Sequence, residues 1–92
     1  MDLNLIRQDI DKIDAQLIAL LEERMGLVNQ VTAYKRATGK AVLDTSREQM
    51  VLDKVARQVA NKDFEEAIVA TFSDMMKHSR AYQSRQLGVK EC

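Results

Sequence analysis

Residues 6–35 read IRQDIDKIDAQLIALLEERMGLVNQVTAYK. Apolar side chains recur at Ile6, Ile10, Ile13, Leu17 and Leu20, then at Leu27 and Val31. This 4-3-4-3 spacing marks one face of a long helix packed on other helices. The position in phase after Leu20 holds Arg24. A guanidinium in an apolar stripe carries a desolvation cost of several kcal/mol unless something anionic offsets it. Lys35 follows eleven residues later, roughly 20° from Arg24 at about 100° per residue, so the two cations share a face. An anion is expected between them.

The stripe extends outward into a helix from about Leu3 to Thr38. Gly39 supplies a left-handed stop, and Lys35 and Arg36 sit in the last turn, where the helix dipole favours cations. Gly26 keeps the phase at a cost of roughly 1 kcal/mol against Ala. After the loop 40–44, Thr45-Ser46-Arg47-Glu48 has the spacing of a capping box for a second helix. Its stripe is Leu52, Val55 and Val59, flanked by Val51 and Ala56. Asn61 and Lys62 interrupt the pattern. Asp63 is expected to cap a third helix bearing Ile68, Phe72, Met75 and Met76 and ending near Gly88.

Ninety-two residues without proline make one all-α domain, 1–92. A helix of about 36 residues is roughly 54 Å long. A compact chain of this size has a radius of gyration of only about 12 Å. Two shorter helices cannot cover such a stripe, so a second copy is expected, giving an intertwined homodimeric helical bundle with two-fold symmetry.

Fourteen basic residues balance fourteen acidic ones, which argues against a nucleic-acid or anionic-membrane partner. The start, MDLNLIRQDIDK, is acidic and amphipathic rather than a signal peptide, and a cytoplasmic location is the default. A single cysteine, Cys92, makes no intrachain disulfide or metal cluster and reads as incidental. His78 has no partner at metal spacing. No nucleotide loop, nucleophile–base pair or metal motif is visible, so no metal or cofactor is expected. An enzyme built this way works by positioning and electrostatics.

The other helices also carry polar groups on inward stripes. Phe72 and Met76 continue in phase to Ser79 and Gln83, and Leu52, Val55 and Val59 project back to Glu48, with Arg47 beside it. Taken singly, each has a plain structural explanation. Together they outline a pocket for a small polar anion, because a buried polar cluster without partners is costly.

These residues resemble the all-helical chorismate mutases of the AroQ class. The likeness lies in Arg7, Asp14, Leu20-Leu21-Glu22-Glu23-Arg24, Val31 and Lys35, then Val42 to Glu48, then Ser79-Arg80-Ala81-Tyr82-Gln83, and covers nearly the whole chain. It departs at Ala41, where the family often has proline, and at Gly26. The resemblance implies conversion of chorismate to prephenate, on the route to phenylalanine and tyrosine, by a freestanding enzyme. It implies that Arg24, with Arg7 donated by the partner chain, clamps the substrate's two carboxylates, assisted by Arg47 and Ser79. Lys35 and Gln83 would donate to the ether oxygen. Glu48 would accept from the ring hydroxyl, with Asp44 nearby. An isochorismate pyruvate lyase on the same fold would use a similar clamp, but the segment Asp44 to Glu48 looks like the mutase pattern. A non-catalytic dimerisation module explains the heptads but not the inward Arg24, Lys35, Ser79 and Gln83.

Overall fold

A computed structural model describes residues 1–89. Helix α1 spans Leu3–Thr38, α2 Thr45–Gln58 and α3 Glu65–Leu87, with a 3₁₀ turn at Lys62–Phe64. The described residues form no strand, and the fold is all-α. Cys92 lies outside the described residues.

The ends of α1 follow from local chemistry. The Asp2 carboxylate accepts from the Asn4 N–H at 2.8 Å. Gly39 takes φ 73°, a left-handed conformation that costs glycine little. Its N–H donates to the Lys35 carbonyl at 2.8 Å, closing the helix.

Two caps differ from the sequence expectation. Asp44, not Thr45, caps α2: its carboxylate accepts from the Arg47 N–H at 3.0 Å. Aspartate and threonine are both good caps and stand side by side here, and the box spacing favoured the wrong one. Glu48 is thereby released from capping. At the other junction Asn61, not Asp63, is the cap, and its side chain accepts from the Asp63 N–H at 3.0 Å. The chain makes a 3₁₀ turn before α3, whose own cap residue, Phe64, contributes no side-chain bond.

Packing concentrates at one end of the molecule. Helix α3 lies against both α2 and the C-terminal half of α1. Among the described residues, Val55 and Met76 are the buried apolar ones, while Thr32, Ser79, Gln83 and Ser84 are buried and polar. A small domain whose deepest side chains are mostly polar is not built around a conventional core. Thr32 settles its hydroxyl on the Val28 carbonyl of its own helix at 2.8 Å.

Residues 1–23 are all exposed. Ile10, Leu17 and Leu20 keep 48%, 49% and 60% of their surface. The radius of gyration is 16.1 Å and the long dimension 54 Å, against about 12 Å for a compact chain of this length. Among the described residues nothing covers the part of the heptad stripe from Ile6 to Leu20.

Candidate active site

The polar residues on the three inward stripes meet. The C-terminal half of α1, the start of α2 and the C-terminal half of α3 enclose a cavity of about 190 Å³. That is below the ~300–1,000 Å³ typical of drug-sized ligands, and it suits a small metabolite. Val28, Val31, Val42, Val51 and Met76 supply the apolar walls. Arg24, Lys35, Arg47 and Arg80 bring four cations, and Asp44 and Glu48 bring two carboxylates. The balance is two positive charges in a partly dry cleft, which attracts a dianion.

Arg24 extends from α1 to α3, where its Nη1 donates to Ser79 Oγ at 3.1 Å. Serine and arginine thus hold each other on one wall. Lys35 forms the opposite corner. Its Nζ donates to the Val42 carbonyl at 2.6 Å and to Gln83 Oε1 at 2.9 Å. An ammonium has only donors, so the Gln83 atom facing it must be the oxygen. The Gln83 Nε2 is left as a donor, and Lys35 keeps a third N–H of its own. One lysine therefore orients two groups that supply hydrogen bonds.

Burial pushes the Lys35 ammonium below its ordinary pKa of 10.5, and the nearby carboxylates of Asp44 and Glu48 oppose that shift. Desolvation is the larger effect. An anion entering the cavity would reverse it, because opposite charge favours the protonated form.

Asp44 serves both the cavity wall and the α2 cap. Arg47, in the first turn of α2, is exposed along the same cavity. Glu48 Oε1 accepts from Arg80 Nη1 across the α2–α3 seam. Sequence reading assigned no part to Arg80 or to the Val42 carbonyl. Neither leaves a local signal: one is a pairing between residues 32 apart, the other a backbone atom.

Arg24, Lys35, Asp44, Arg47, Glu48, Ser79 and Gln83 all line this cavity. Arg7 does not. It is exposed in the second turn of α1, seventeen residues or about 25 Å of helix from Arg24. His78 is exposed and lines a second groove between α1 and α3, with Asp74, Tyr82 and Arg85, which meets the cavity at Arg24 and Ser79. Among the described residues no group of three His, Cys, Asp or Glu side chains could hold a metal ion. No described helix is long and apolar enough to cross a membrane.

The cavity can grip a small dianion, fix its conformation and donate hydrogen bonds to an oxygen gaining negative charge. The sequence model of the chorismate mutase type II family matches residues 6–84. A protein named chorismate mutase from Methanocaldococcus jannaschii is 29% identical over 83 residues, covering 89% of this chain and 84% of that protein. No solved structure matches the chain.

Proposed function

This chain belongs to the chorismate mutase type II family and is an isomerase, and on that premise we propose how its cavity works. Chorismate binds as a dianion and rearranges to prephenate. One C–O bond breaks as one C–C bond forms, with no proton transfer and no covalent intermediate. What remains for the protein is orientation and charge complementarity. Arg24, Ser79 and Arg47 hold the carboxylates and fold the enolpyruvyl arm over the ring. Lys35 Nζ and Gln83 Nε2 donate to the ether oxygen as negative charge grows there. Glu48 accepts from the ring hydroxyl, and Asp44 closes that side of the cavity.

The observation carrying this reading is the bond between Lys35 Nζ and Gln83 Oε1 at 2.9 Å. It brings a cation and an amide donor together at one point, as stabilising a developing oxyanion requires.

The working unit is proposed to be an intertwined homodimer. The exposed stripe of α1, Ile6 through Leu20, is the supporting feature, since fully burying one Leu or Ile contributes roughly 1.5–3 kcal/mol. Arg7 of a second copy then completes each cavity. Residues 1–92 act as one domain, in the cytoplasm, in phenylalanine and tyrosine biosynthesis.

The test is chorismate consumption by the purified chain with no cofactor added, with isochorismate assayed in parallel. Prephenate formed from chorismate supports the reading. Pyruvate released from isochorismate, with chorismate untouched, would point to the lyase instead. Turnover of neither, together with no binding of chorismate, would leave only a dimerisation module.

A further inference from the structure

Arg80 is one of the four cations of the cavity, and the substrate contacts proposed above do not use it. It leaves α3 one residue after Ser79 and crosses to α2, where its Nη1 donates to Glu48 Oε1. The two side chains are 26% and 22% exposed, so water screens them only in part. Glu48 is no helix cap, because Asp44 holds that position. Its conformation is set across the seam, by Arg80.

This pairing has two consequences. A carboxylate has two oxygens, and with Oε1 engaged by Arg80 the other is left to accept a hydroxyl. The guanidinium also cancels a negative charge that would otherwise confront a dianion. Without Arg80, three cations would face two carboxylates, and the excess that matches the substrate would be halved.

We infer that Arg80 is a positioning residue for Glu48: it fixes and neutralises that carboxylate so that Glu48 accepts the ring hydroxyl of the substrate without repelling its charge. The inference rests on the reading of the cavity as a chorismate site. It concerns selection of a substrate with a hydroxyl at this point, and Arg80 does not touch the reacting atoms.

The experiment is a double-mutant cycle on chorismate turnover with Arg80→Met, Glu48→Ala and the pair together. Arg80→Met is expected to raise KM and to lower kcat/KM roughly 10- to 100-fold, the range for one hydrogen bond to a charged group. In the Glu48→Ala background the same change is expected to cost less than about threefold, because residues acting as one unit are not additive. Arg80→Lys keeps the charge and should recover most of the lost activity. Where Arg80→Met does not fold, Arg80→Gln replaces it, since it keeps a donor but loses the charge.

Losses that multiply across the cycle would overturn the inference, because Arg80 would then act independently of Glu48. So would a fall in kcat at unchanged KM that follows the folded fraction by circular dichroism, which is the signature of a structural pair. An inert wild-type chain overturns the reading of the cavity and this role together. An active wild type with multiplying losses overturns this role alone.

Discussion

Replacing Lys35 by methionine should separate function from stability. The change keeps an unbranched stem and removes the ammonium. In the structure that ammonium donates to the Val42 carbonyl at 2.6 Å and to Gln83 Oε1 at 2.9 Å, and its remaining N–H is the proposed donor to the ether oxygen. Losing one preorganised donor to a developing oxyanion costs about 10²–10³ in kcat, or about 3–4 kcal/mol. The Gln83 amide also loses the partner that orients it, so the upper part of that range is expected. Stability should respond differently. Desolvation holds the Lys35 pKa below 10.5 despite Asp44 and Glu48, so the protonated form is less favoured in the folded chain than in the unfolded one. That penalty is fully present below the folded pKa. It fades as pH rises from there through the unfolded value, above which both states are neutral. Removing the ammonium relieves it but leaves two carbonyl oxygens without that donor, and such lost bonds cost about 1 kcal/mol each net. The midpoint of thermal unfolding at neutral pH should therefore change little. The wild type should gain stability relative to Lys35→Met as pH rises toward 10.5. The assay pairs initial rates of chorismate loss with thermal melts between pH 7 and pH 10.5. A variant within a few-fold of wild-type kcat would refute the role of Lys35. So would an activity loss that merely tracks a large drop in melting temperature.

The remaining expectations concern two other cavity residues. Gln83→Glu places a carboxylate beside Lys35, where it donates a hydrogen bond only when protonated and otherwise opposes the charge growing on the ether oxygen; its activity should be higher in acid than at neutrality, and a pH–rate profile without that acid preference would count against the contact. Asp44→Ala removes the α2 cap and should destabilise the fold by about 1 kcal/mol, whereas Asp44→Asn, a comparable cap, should unfold close to wild type; equal losses in denaturant titrations of both would mean that the cap is not what Asp44 contributes to stability.

The site was legible where it broke a periodic pattern. Arg24 announced itself by standing where Leu20 calls for another aliphatic residue, and Ser79 and Gln83 by continuing the phase of Phe72 and Met76. Both of these α3 residues are buried, at 7% and 6% exposure, and both line the cavity. Helical periodicity reports which face turns inward, so a polar residue in phase with a core stripe is visible without coordinates. The cap of α2 was misread because Asp44 and Thr45 are adjacent good caps, and only backbone geometry decides between neighbours. Glu48 fitted the box by spacing yet pairs with Arg80, a partner that no local pattern names. The Val42 carbonyl that holds Lys35 is a backbone group, and every residue carries one. Arg7 belongs to a further class: its partner is not in the same chain if the proposed dimer holds.

That shared site is tested most directly by mixing two nearly inactive variants, Arg7→Ala and Lys35→Ala. Arg7 lies about 25 Å along α1 from Arg24 and points roughly 100° away, so one small ligand cannot reach both in the same chain. Equal amounts of the two are unfolded together and refolded, and chorismate turnover is compared with each variant refolded alone. Random pairing makes about half of the dimers mixed, and each mixed dimer carries one doubly damaged cavity and one intact cavity. Recovery to about a quarter of wild-type activity is therefore expected, by that symmetry. Mixed dimers that demonstrably form, yet remain as inactive as the separate variants, would contradict it.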